Sequence, residues 1–195
     1  MIVVGVGCGP GMLTEQAVAA IREADVIYGS DRAIVRAAAH IRSTCAVHVI
    51  TDYQALRNLP EHAVVLSTGD PPMLAGLGYL GGEVISGISS YQYACAKLGV
   101  AMTTTAIVNA HARDHEQAVR EICFEIARGK IVFVIADPPG FVPSVLADHL
   151  RAKGSACRIA ICEKLGYPDE TISVGDTETP PVPQSDLFVL MAGRF

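Results

Sequence analysis

At 195 residues, half of them hydrophobic and 18% charged, the chain can bury a sizeable core as one domain or two small ones. Its net charge of -5 argues against a general nucleic-acid binder, which would show a basic face. No apolar run approaches the ~20 residues of a membrane helix, and the opening strand lacks a signal-peptide pattern. Six scattered cysteines without a C-x-x-C pair fit a reducing cytoplasm rather than a disulfide framework.

The first predicted element is an apolar strand, Ile2–Val6, running through MIVVGVGCGPGM into Gly5, Gly7, Gly9, Pro10 and Gly11. An amphipathic helix is expected over Thr14–Glu23. DVIYG follows as a strand, and a second helix starts at Ser30. VHVI (47–50) and AVVLST (63–68) read as buried strands, and EVIS (83–86) as a strand before a helix over Ser89–Leu98. This is the βαβ rhythm of a mostly parallel sheet covered by helices.

From about Thr103 the rhythm restarts. AIVNA (106–110) is a strand, His115–Arg128 a helix closed by Gly129, IVFVIAD a strand to Asp137, and Val142–Lys153 a helix ending at Gly154. CRIAIC, TISVG and DLFVLMA then follow with no helix between them, and TETPPVPQ is too proline-rich for either regular element. The expected fold is α/β in two α/β domains, residues 1–102 and 103–195, divided near Val100–Thr104, with the second ending in antiparallel strands.

The first glycine-rich turn is not a dinucleotide fingerprint. G-x-G-x-x-G needs its third glycine at position 10 or 12, and those positions hold Pro10 and Met12. Two further small-residue turns follow strands, STGDPPML (67–74) and SGISSYQYACAKLG (86–99). In a parallel sheet the carboxyl ends share one edge, where ligands bind. Gly7–Gly11, Gly69–Asp70 and Gly87–Ser90 are therefore expected to converge around one cleft. Taken singly they have simpler readings: Asp70 before Pro71 fits a turn start, and Ser89 or Ser90 fits a helix N-cap.

The order GxGxGPG…LT, then GDP, then GISS, resembles the tetrapyrrole (precorrin) methylase family, S-adenosylmethionine-dependent methyltransferases of cobalamin and sirohaem synthesis. The likeness runs from residue 1 to about 192. Length and the IVNAHARD segment are most similar to the members that methylate C5 of cobalt-precorrin-7. The chain departs from the family at Met12, where an acidic residue is usual, and at Ala112, where glycine stands between histidine and arginine. A small extra segment before L-T is also missing.

The resemblance implies a ligand cleft between the two domains, usually in a homodimer. It implies S-adenosylmethionine as methyl donor and a corrinoid small-molecule substrate; no protein-bound metal is expected, and the acidic balance and the lack of a long apolar run argue against nucleic acid and membrane as partners. By position in the family motifs, Pro10, Thr68, Gly69, Asp70, Met73, Ser89 and Ser90 belong to the donor site. Ala136 and, in CEKLGYP, Leu165 or Gly166 complete it. On the substrate side, the carboxylates of a corrinoid call for local cations. Arg113 can hold a carboxylate with two parallel N–H bonds, and His111 can donate a hydrogen bond or move a ring proton.

Other readings differ in substrate or class. Relatives act on ribosomal RNA or on a modified histidine of an elongation factor, and a non-catalytic nucleotide-binding module would share the first turn. His111 and His115, four apart, would face one way on a helix, without a third metal ligand in view. Arg32 and Arg36 read as a solvated helix face rather than a substrate clamp.

Overall fold

The computed structural model describes residues 1–74, 77–136 and 140–195. The chain divides into two compact units, Met1–Ser90 and Tyr91–Phe195. The sequence places the division near Val100–Thr104. The contacts place it after Ser90, so most of the helix that follows counts with the second unit.

The first unit is built on a five-stranded, wholly parallel sheet of order β3-β2-β4-β1-β5. The strands are β1 (Ile2–Gly5), β2 (Val26–Gly29), β3 (Ala46–Val49), β4 (Val64–Ser67) and β5 (Glu83–Ile85). Successive residues of β1 point to opposite faces, and both faces are covered. Val4 joins Ile27, Val64 and Leu66 beneath α1 (Glu15–Glu23) and α2 (Asp31–Ala37), while Val3 joins Val65, Leu56 and Leu77 on the other side. That is why IVVGV reads as an unbroken apolar run. Thr14 and Ser30 lie one residue outside their helices, where their hydroxyls accept from Ala17 N and Ala33 N as N-caps.

VHVI is a correction. It forms β3, but at the sheet edge with all four strand residues exposed.

The second unit carries a mixed sheet of order β6-β7-β10-β8-β9. Its strands are β6 (Thr105–Asn109), β7 (Ile131–Ile135), β8 (Arg158–Glu163), β9 (Thr171–Asp176) and β10 (Phe188–Gly193). β6 and β7 are parallel, and β10 runs antiparallel to both β7 and β8, as does β9 to β8. The expected antiparallel ending is present. Asp137, which the sequence adds to β7, lies outside the described residues.

Helices α5 (His115–Ala127) and α6 (Pro143–Ala152) cover one face with Ile122, Leu146 and Leu150, all fully buried against Val132, Ile159 and Leu190. Gly129 closes α5 in the left-handed conformation at φ 81°, and Gly154 follows α6 at φ 66°. Among the described residues the remaining α-helices are the single turn α3 (Pro71–Leu74) and α4 (Ser90–Leu98).

Candidate active site

In the first unit β1 lies between β4 and β5. The chain leaves β1 toward β2, but leaves β4 in the opposite direction, past β1, to β5. The adjacent β1 and β4 are therefore a topological switch point, where open α/β sheets bind ligands.

The three glycine-rich turns meet there. Gly7 N donates to Gly69 O at 3.1 Å and Gly69 N to Gly7 O at 2.7 Å, a two-bond bridge between the first and second turns. Cys8 N donates to Ile88 O at 2.9 Å, joining the first turn to the third. Asp70 Oδ1 accepts from Gly87 N at 3.1 Å, joining the second to the third.

Glycine is required in this cluster for close approach. A Cβ on Gly5 would lie 2.8 Å from Gly87 Cα, and one on Gly87 would run into the Gly69 carbonyl. Gly69 differs: its φ of 73° favours glycine, yet a Cβ there would meet no atom within 4 Å. Its constraint within the chain is backbone conformation, and its open side leaves room for a ligand against the backbone.

Arg36 is a second correction. It is no solvated side chain, because its Nη1 donates to Gly7 O at 2.5 Å and its Nη2 to Cys8 O at 2.6 Å. The guanidinium fork of α2 thereby holds the first turn from behind. Sequence reasoning had no signal for this, since spacing on α2 does not show which carbonyls lie within reach.

The other donor candidates of this unit stand around the cluster. Pro10 is exposed, Thr68 and Met73 are half-buried, and Ser89 is 3% exposed directly ahead of Ser90, the first residue of α4.

In the second unit β6, β7 and β8 point the same way, so their carboxyl ends share one edge of the sheet. His111 and Arg113 follow β6, Ala136 follows β7, and Leu165 and Gly166 follow β8. His111 and Arg113 are exposed, whereas Ala136 and Leu165 are each 5% exposed. His111 N donates to Asn109 Oδ1 at 2.9 Å within the turn. Asp114 caps α5, accepting from Glu116 N and Gln117 N.

His111 therefore precedes the helix that His115 begins, and the two do not share a helical face. His115 packs edge-on to Phe141 with ring centroids 6.1 Å apart.

Backbone strain falls at this same edge. Among the described residues the non-glycine positions with positive φ are Ala112 at 54° and Lys164 at 48°. The first stands between His111 and Arg113, the second directly before Leu165. Left-handed conformation costs a side-chain-bearing residue roughly 1–2 kcal/mol, and such strain concentrates where a site must be shaped.

The turn after β8 is pinned accordingly. Lys164 Nζ pairs with Asp169 at 2.6 Å, and Gly166 N donates to Glu170 Oε2 at 2.7 Å. Glu163, 2% exposed, accepts from Gln184 N and Ser185 N, each at 2.7 Å, and from Thr171 Oγ1. The Lys164 ammonium holds Asp169 below the usual carboxylate range.

A parallel switch-point sheet with a backbone-lined turn cluster, followed by a mixed sheet with loops gathered at one edge, is the architecture of a two-unit α/β protein. The family model described as tetrapyrrole (corrin/porphyrin) methylases matches residues 1–181. The chain belongs to that family and is an S-adenosylmethionine-dependent methyltransferase.

Two curated relatives, the cobalt-precorrin-7 C(5)-methyltransferases of Salmonella typhimurium and Salmonella typhi, are each 28% identical over 186 residues, covering 88% of this chain and 88% of theirs. The crystal structure of the cobalamin-biosynthetic precorrin-6Y methylase of Archaeoglobus fulgidus matches with TM-score 0.76 at 24% identity, over 100% of this chain and 97% of that one. The methyltransferase CobJ matches with TM-score 0.80 at 20% identity, over 99% and 93%. A diphthine synthase shares the fold at TM-score 0.70 and 16% identity, over 100% and 90%. The fold by itself therefore does not select the substrate.

Proposed function

We propose that the chain methylates C5 of cobalt-precorrin-7 in cobalamin biosynthesis, as a cytoplasmic homodimer, with S-adenosylmethionine as donor. The observation that carries the donor half is the turn cluster at the β1/β4 switch point, with the open side of Gly69 beside it. The substrate half is supported by the activity of the two Salmonella relatives and by the exposed His111 and Arg113 at one sheet edge.

S-adenosylmethionine supplies a methyl group already activated on a sulfonium, so the protein's work is placement and exclusion of water. Pro10, Thr68, Gly69, Asp70, Met73, Ser89 and Ser90, with Ala136, Leu165 and Gly166, would hold the donor, largely through backbone groups. The methyl moves to a nucleophilic ring carbon as the carbon–sulfur bond breaks. Arg113 grips a peripheral carboxylate of the corrinoid with paired N–H groups. His111 donates to the ring or accepts the proton released after methylation.

The test pairs two measurements on each variant: S-adenosylmethionine affinity by titration, and methyl transfer to cobalt-precorrin-7 with the new methyl located by NMR. Arg113→Ala should raise the corrinoid KM with donor affinity nearly intact, and His111→Ala should lower turnover more than donor binding. Equal loss of donor affinity and turnover in both variants would refute the substrate role, and a methyl at another carbon would refute the C5 assignment.

A further inference from the structure

The turn after β8 holds two left-handed residues in sequence proximity, Lys164 and Gly166, the latter at φ 80°. Such a turn keeps one shape only if its surroundings over-determine it. Part of that restraint comes from outside the turn. Glu170 accepts the Gly166 amide on Oε2 at 2.7 Å, while its Oε1 receives Lys97 Nζ from α4, also at 2.7 Å. Lys97 further lies over the Tyr93 ring, 5.1 Å from its centroid, one turn back on the same helix. One carboxylate thus joins a helix to a main-chain amide, with each oxygen committed to a different partner.

We propose that Glu170 is a positioning residue for methyl-donor binding: aimed by Lys97, its carboxylate holds the Gly166 amide and so sets the Leu165–Gly166 backbone that faces the donor. The proposal rests on the donor reading of Leu165 and Gly166 given above. Glu170 itself need touch neither donor nor corrinoid. Burial pushes the Glu170 carboxyl up, but the hydrogen bonds from Lys97 and Gly166 outweigh it and hold it below the usual range, so the carboxylate is charged when it acts.

The experiment uses the full chain and S-adenosylhomocysteine as probe, measuring dissociation constant by calorimetry, thermal midpoint, and amide exchange at 165–166. In the wild type the probe should slow exchange at Leu165 and Gly166. Glu170→Ala should weaken the probe roughly tenfold, the scale of one charge-assisted hydrogen bond. Glu170→Gln, which keeps an acceptor oxygen but loses the ion pair, and Lys97→Met should each weaken it less, and their double variant no more than the stronger single one.

The exchanged pair Lys97→Glu with Glu170→Lys restores an ion pair but offers Gly166 no acceptor. It should recover thermal midpoint without recovering probe affinity. Should Glu170→Ala fail to fold, Glu170→Gln and Lys97→Met carry the same comparison. Absence of slowed exchange in the wild type overturns the donor reading of the turn. Slowed exchange together with unchanged affinity in the Glu170 and Lys97 variants, or affinity restored by the exchanged pair, overturns the positioning role alone.

Discussion

Asp70 reaches from the turn after β4 to hold the backbone amide of Gly87 in the turn after β5, Oδ1 to N, at 3.1 Å. Gly87 is buried and admits no side chain, so its amide cannot turn to water if the acceptor is lost. Asp70→Ala should cost about 1–3 kcal/mol in urea unfolding, the penalty of an orphaned buried donor. Asp70→Asn keeps an oxygen at the same place and should recover most of it. Equal loss in both variants would show that the charge, not the hydrogen bond, is what matters.

Arg36 makes the complementary contact, from α2 to the carbonyls of Gly7 and Cys8. A lysine cannot form both bonds with one fork. Arg36→Lys and Arg36→Ala should therefore both accelerate amide exchange in Gly7–Gly9 and weaken S-adenosylhomocysteine. Added ethylguanidinium should restore affinity to the alanine variant. Failure of that rescue, with unchanged exchange, would remove Arg36 from the support of the turn.

Ala112 sits at φ 54°. Replacing it by glycine removes the Cβ penalty but loosens the unfolded chain. The expected net is a gain of about 0.5–1 kcal/mol, read as a higher thermal midpoint. A lower midpoint would show that the Ala112 methyl makes a contact worth more than its strain.

Burial pushes the Cys162 thiol of β8 up to about 12 and raises Cys95 on α4, Cys123 on α5 and Cys157 ahead of β8 as well. A pKa raised on folding gives stability that is complete below the unfolded thiol value, near ~8.5, and is lost as pH rises from there through the folded value. The urea midpoint should be flat from pH 7 to 8 and fall above pH 9, with a shallower fall in Cys162→Ala. An aromatic disulfide reagent should label Cys8 and Cys45, which are part-exposed, well before the four buried thiols.

Much of the fold was legible because apolar runs and caps are local signals. Thr14, Ser30 and Gly129 mark element ends by chemistry that does not depend on the rest of the chain. The convergence of the three turns was legible too, since parallel strands put their carboxyl ends on one edge. VHVI misled because four apolar-rich residues read alike whether a strand is central or at an edge. Its exposure follows from strand order, which no local pattern encodes. Arg36 was opaque for the same reason: its partners lie 29 and 28 residues away in sequence. The pinning of Lys164–Glu170 was equally hidden, because CEKLGYPDE shows the charges but not which oxygen meets which amide.

The order β3-β2-β4-β1-β5 also has a consequence for how the chain comes off the ribosome. β1 has no neighbour in its sheet until Val64–Ser67 has been made. At ~5–20 residues per second, this leaves the apolar Ile2–Val6 segment unpaired for several seconds. β2 and β3, adjacent in both sequence and sheet, are free to pair first. The switch-point strand β1 can thus enter a sheet whose flank is already laid down, and the Gly7–Gly69 bridge can close only once β4 has been made.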